Sequence, residues 1–144
     1  MAITSAICNS FKQEILEAEH NFSSSGGNTF NLALYDSDAT LNKSTTAYTT
    51  SEELATTGGY TAKGNALTSV TPTLDSDTAI CDFADTSWTS ASFTARGCLI
   101  FNDSHASDAS VCAIDFGGDK TVTSGTFTVE FPAAAASTAI IQIA

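Results

Sequence analysis

Two histidines, His20 and His105, sit in a chain rich in serine and in acidic side chains. The residue types of a Ser-His-Asp triad are therefore all present. No motif sets a nucleophile against a base: the GxSxG turn that exposes a serine at a strand-to-helix elbow does not occur. His20 follows a helical stretch and is expected near solvent, or beside the helix C-terminus where a cation is favoured. His105 falls in the polar stretch Asn102 to Ser110. Carboxylate pairs recur as Asp36-Ser37-Asp38 and Asp75-Ser76-Asp77, and Asp103, His105 and Asp108 form a third group. Each could offer oxygen ligands to Ca²⁺, but none continues into an EF-hand loop. Aspartate also caps turn amides, which is the simpler reading of all three. Phe116-Gly117-Gly118-Asp119-Lys120-Thr121 lacks the GxxxxGK[ST] order of a phosphate loop and lies between strands. Arg96, the single arginine, adjoins an apolar run and is expected to pair with a carboxylate. Tyr35, Tyr48, Tyr60 and Trp88 could form a sugar-stacking platform, although Trp88 beside Phe93 reads as core. No cofactor and no metal are expected.

The elements that would hold these residues are mostly strands. Residues 5–19 predict an amphipathic helix capped by Ser5. Ile7, Phe11 and Ile15 recur every four residues, with Cys8 and Leu16 beside them. Lys12, Gln13, Glu14, Glu17 and Glu19 take the other face. Such a stripe packs across the sheet of its own domain or docks on a neighbouring subunit. Residues 23–28 are a loop. Residues 29–35 read as a strand with Phe30, Leu32 and Leu34 on one face. A polar insertion at about 36–64 follows, with a short helical turn at 50–54; long segments of this kind often carry binding. From residue 65 the pattern predicts strands at 65–71, 78–83, 88–95, 96–102, 110–116, 125–131 and 139–143. The turn signals between them include Pro72 and a hairpin connection at Gly117-Gly118-Asp119-Lys120. The expected fold is mainly β: an antiparallel β-sandwich or barrel-like single domain over 1–144, with one N-terminal amphipathic helix and the β part at 29–143.

Composition narrows the function classes. Sixteen acidic residues face five basic ones, a net charge of −11. Lys12, Lys43, Lys63, Arg96 and Lys120 are scattered, so the clustered cations that neutralise phosphates are missing. Direct binding to nucleic acid or to an anionic membrane is not expected. Ser and Thr fill about 40 of the 144 positions, which suits strands and turns. The N-terminal residues show no basic region followed by an apolar run, so no secretory signal is expected. The four cysteines form no CxxC and are expected as reduced, buried apolar side chains.

Several segments taken in order carry a resemblance. They are Ala6-Ile7-Cys8-Asn9-Ser10-Phe11-Lys12-Gln13-Glu14, Phe30-Asn31-Leu32-Ala33-Leu34-Tyr35 and Phe83-Ala84-Asp85. Thr94-Ala95-Arg96-Gly97, Asp115-Phe116-Gly117-Gly118-Asp119-Lys120, and Phe131-Pro132 with Ile140-Ile141 follow. The chain resembles a family of small, poorly characterised structural proteins of tailed phages, common in aquatic phages. The resemblance implies a non-enzymatic virion protein made in the host cytoplasm, with phage capsid or tail proteins as partners and a homo-oligomeric arrangement. It carries over no catalytic residue. A capsid decoration (cement) protein is the first expectation. A tail or fibre adhesin is the second and a hydrolase the third. Ile7, Phe11 and Ile15 on the helix, and Tyr48 and Tyr60 in the polar insertion, are the candidate partner-binding residues.

The reduced-thiol reading has a direct check. Thiol titration of the denatured protein without reductant is expected to count four free cysteines; two or fewer would reveal a disulfide.

Overall fold

The computed structural model describes residues 2–144. Nine elements follow in order: β1 (Ala6–Ile7), α1 (Asn9–Leu16), β2 (Phe30–Tyr35), β3 (Asn65–Ala66), β4 (Ser69–Asp75), β5 (Thr78–Phe83), β6 (Thr86–Asn102), β7 (Ser110–Val129) and β8 (Ile141–Ile143). They form two antiparallel sheets: a five-stranded one in the order β1-β7-β6-β2-β3 and a three-stranded one in the order β4-β5-β8. The arrangement is sandwich-like, and neither sheet closes into a barrel.

β2 shows why the large sheet must be covered on both faces. All six of its residues are buried. Phe30, Leu32 and Leu34 join Phe11, Phe22, Phe83, Cys98, Ile100 and Ile141 in one apolar cluster, which fills the space between the sheets and under α1. Ala33 and Tyr35 point the other way, as alternation requires. They pack with Ile3, Ala39, Leu41, Leu99 and Phe101 in a second cluster. Burying each large side chain of these clusters contributes about 1.5–3 kcal/mol. The segment after β2 supplies the second cover. The polar insertion is thus a lid laid on the back of the sheet, with Ala39 and Leu41 as its buried feet.

Three sequence expectations are corrected here. The helix spans Asn9–Leu16, not 5–19, and its N-cap is Cys8, which makes no side-chain cap bond. Ala6 and Ile7 instead pair with Ala113 and Cys112 of β7. Ser5 is not a cap; its Oγ accepts from the Asp115 N–H (2.8 Å). At the other end Ala18 has φ 61°, which ends the helix. Residues 50–54 form a turn closed by Glu53 N–H to Thr50 O (3.3 Å), not a helix.

The strand boundaries also shift. The expected strands 88–95 and 96–102 are one continuous β6, and 110–116 and 125–131 are one β7. Gly117-Gly118-Asp119-Lys120 is not a hairpin connection. It lies in a bulge of β7, where the register steps from Gly97 opposite Asp115 to Ala95 opposite Lys120. Gly117 takes φ 79° there, and the Arg96 Nε–H donates to Asp115 (3.0 Å) across the bulge. The expected ion pair of Arg96 therefore exists. Pro72 lies inside β4, an edge strand where a missing N–H is tolerated. The run 65–71 divides into β3 and the start of β4, and β8 is shorter than 139–143.

Gly64 tests the packing of the insertion. It has φ 66°, and a Cβ there would lie 1.8 Å from the Leu32 carbonyl oxygen. Gly64→Ala is expected to cost about 3 kcal/mol in urea denaturation. Gly118→Ala, where nothing lies within 4 Å of the added carbon, is expected to stay within about 0.5 kcal/mol.

Candidate functional site

Polar chemistry concentrates at two places. The first is the Glu53 carboxylate, inside the polar insertion. Its Oε2 accepts from the Tyr48 hydroxyl (2.5 Å). Its Oε1 accepts from the Tyr60 hydroxyl (2.7 Å) and the Lys63 N–H (2.6 Å). The Tyr60 oxygen in turn accepts the Leu34 N–H (3.0 Å), which ties the insertion to the central strand. The Lys63 ammonium donates to Asp103 (2.8 Å) and Asp108 (2.9 Å) and lies over the Tyr48 and Phe101 rings. Burial, reinforced by Glu53, pushes the Tyr48 hydroxyl up to about 12. Burial first, then Glu53, raises Tyr60 further, and burial raises Tyr35.

The second place joins α1 to the β6–β7 turn. His20 is buried. Asn102 donates its side-chain amide to His20 Nδ1 (3.1 Å) and to Asn28 Oδ1 (3.1 Å), and accepts from the Ser104 N–H (3.0 Å). This assigns the proton to Nε2, which donates to Glu14 Oε2 (2.6 Å). The expectation of a solvent-facing His20 is thereby corrected: its ring is packed by Phe11 and Phe22, 4.9 and 6.3 Å away between centroids. His105 stacks on it at 6.2 Å and meets Glu19 (3.3 Å), while its Nδ1 accepts the Ser107 N–H (3.1 Å).

Both places are built from internal bonds. Each ring nitrogen of His20 is occupied by a carboxylate or an amide. All four cysteines are buried free thiols. Burial pushes Cys81 and Cys112 up to about 12, so neither is poised as a thiolate. Asp36, Asp38 and Glu52 bring oxygens within 4.8 Å of one another on loops, with Asp38 and Glu52 exposed. Asp36 Oδ1 accepts the Asp38 N–H (2.9 Å), the turn role expected of it.

The candidate partner-binding residues separate. Phe11 and Tyr60 are buried, at 3% and 2% exposure. Tyr48 is half-buried, stacked on Phe101 at 4.7 Å. With Trp88 also in the core, the tyrosines and Trp88 present no sugar platform. Ile7 and Ile15 are half-buried. Leu16, placed with the apolar stripe, is 87% exposed. The short helix leaves it beyond the packed turn. Sequence reasoning missed Leu74 and Ile143, exposed at 74% and 57%. Their strands place apolar residues at alternate positions as core strands do, so the pattern gives no sign of the exposure.

No protein family, curated protein or solved structure matches the chain. No helix among the described residues is long and apolar enough to cross a membrane.

Two measurements check the Glu53 site. Tyr60→Phe leaves the Leu34 N–H without its acceptor and is expected to cost about 2 kcal/mol in urea denaturation. Tyrosines whose folded values lie above the unfolded value of about 10 hold protons that the unfolded chain releases. Their contribution is full below that pH and is lost as pH rises towards the folded values. Stability is expected to fall above pH ~10, with tyrosinate absorbance appearing together with unfolding.

Proposed function

We propose that this chain is a non-enzymatic structural protein of a tailed-phage virion, a decoration protein attached to the outer capsid. The observation that carries the non-enzymatic part is the use made of its polar groups. His20, Glu14, Asn102, Glu53, Tyr48, Tyr60 and Lys63 all hold chain segments to one another. A catalytic group must instead be free to meet a substrate in the geometry of its transition state. The virion part rests on the resemblance, which spans nearly the whole chain.

The physical character of the molecule supports the same reading. Around β2 both faces of its main sheet are covered, and its net charge is −11. Such a surface keeps unattached copies soluble and apart in the host cytoplasm before they meet a particle. Repeated attachment to a symmetric shell would then order many copies, with capsid proteins as partners and a homo-oligomeric arrangement as the outcome. The burial of Tyr60 and Trp88 removes the platform on which the adhesin alternative stood.

Reconstruction of purified virions decides the matter. Density for this fold is expected at repeated positions on the capsid exterior. Density confined to the tail, or absence of the chain from purified particles, would overturn the assignment.

A further inference from the structure

β7 outruns its outer neighbour. Near its start it is flanked by β1, with Ala6 opposite Ala113 and Ile7 opposite Cys112. Ser5 makes the last of these contacts, its Oγ accepting from the Asp115 N–H (2.8 Å). The chain before Ser5 turns away to the insertion, where the Thr4 N–H donates to the Leu41 carbonyl (2.8 Å). From Phe116 to Val129, β7 therefore pairs with β6 alone. Among the described residues, no backbone hydrogen bond outside the β6 ladder joins this stretch to another segment.

The other edges are short, broken or covered. β1, β3 and β8 have two, two and three residues. β4 carries Pro72 and a register shift between Val70 and Thr73. The outer side of β6 is covered by the insertion: the Ser92 N–H donates to the Gly58 carbonyl (2.8 Å), and the Asn65 side-chain amide donates to the Ser87 carbonyl (3.0 Å). A long strand with bare N–H and C=O groups is a template for another strand.

The residues of the bare edge indicate which strand. Thr121 to Val129 hold no charged side chain and no proline, in a chain of net charge −11. Two copies repel over most of their surface and least along this edge. The edge also complements itself. Val122 lies opposite Phe93 and Phe127 opposite Trp88, on the core side. Thr121 lies opposite Thr94 and Thr128 opposite Ser87, all four exposed on the other side. A two-fold axis between Ser124 and Gly125 would set Val122 of one copy against Phe127 of the second. Thr121 and Thr123 would then meet Thr128 and Thr126 of the second copy. Each pair shares a face, as the pleat requires. Aromatic pairs with β-branched residues and threonine pairs with threonine are both favourable across antiparallel strands. Beside the edge runs an apolar groove of about 720 Å³, lined by Ile7, Ile114, Phe116, Phe127, Phe131 and Ile140 among others. Val122 and Phe127 of a second copy would arrive on that side.

We propose that the edge of β7 from Thr121 to Val129 pairs antiparallel with the same edge of a second copy, joining two large sheets into one across a two-fold axis. Such a contact uses one patch twice and closes on itself. It does not rest on the virion reading. A dimer formed by a chain absent from particles would sink that reading alone. A particle-borne chain that stays monomeric in solution would sink the edge alone.

The test is the mass of the full-length protein by size-exclusion chromatography with light scattering. Salt of about 0.15 M confines the repulsion between copies to about 8 Å. The dimer mass is expected at about 100 µM, giving way to the monomer on dilution. Thr123→Glu with Thr126→Glu sets like charges opposite one another on both sides of the axis and is expected to weaken association at least about tenfold. Thr123→Glu with Thr126→Lys changes the same two exposed positions but sets opposite charges there, and is expected to keep the dimer. Both variants are expected to unfold at the same urea midpoint, which separates loss of the contact from loss of the fold. A monomer at about 1 mM, a dimer indifferent to the glutamate pair, or equal loss in both variants would each overturn the proposal. So would a particle reconstruction with a strand of a different protein on this edge, which would assign it to a heterologous partner.

Discussion

The rest of the structure depends on one constraint: β2 and the adjoining ends of β6 and β7 are buried on both faces. A strand such as Phe30–Tyr35, buried at every position, has no solvent side. Two covers must therefore exist. α1 and the small sheet supply one, and the segment following β2 supplies the other. The polar side chains of that second cover cannot hold it down by burial alone, because few of its residues are apolar. Glu53 does so instead, by gathering two tyrosine hydroxyls and a backbone amide. A carboxylate with three donors around it is well satisfied even where it is partly withdrawn from water.

The same economy governs the other end. The His20–Asn102 contact ties the exit of α1 to the turn between β6 and β7, and Glu14 completes it from within the helix. Both polar knots lie where an element leaves the sheet and its backbone groups need new partners. The interior chemistry of the molecule is spent on cohesion.

Much of the β content was legible in the sequence. Alternation in Phe30-Asn31-Leu32-Ala33-Leu34-Tyr35 identified β2, and Trp88 with Phe93 read correctly as core. What failed did so for local reasons. Ser5 to Cys8 fits a helical period, but those residues gain more by pairing with β7, more than a hundred positions away. Gly117-Gly118-Asp119 has the composition of a turn, and a bulge uses the same residues. The back cover was invisible because Ala39 and Leu41 are isolated among polar neighbours. The exposed apolar side chains were missed because a strand's pattern tells which face a residue takes, not where the opposing layer stops.

The long-range pairing of β1 bears on how the chain is made. Ser5 to Ile7 have no place to go until Val111 to Asp115 exist. A ribosome adds residues in order, so the Ser5–Ile7 segment is made well before its dock. A pairing across more than a hundred residues favours slow closure over rapid local collapse. A product truncated before Val111 would leave Ala6 and Ile7 without the strand they pair with.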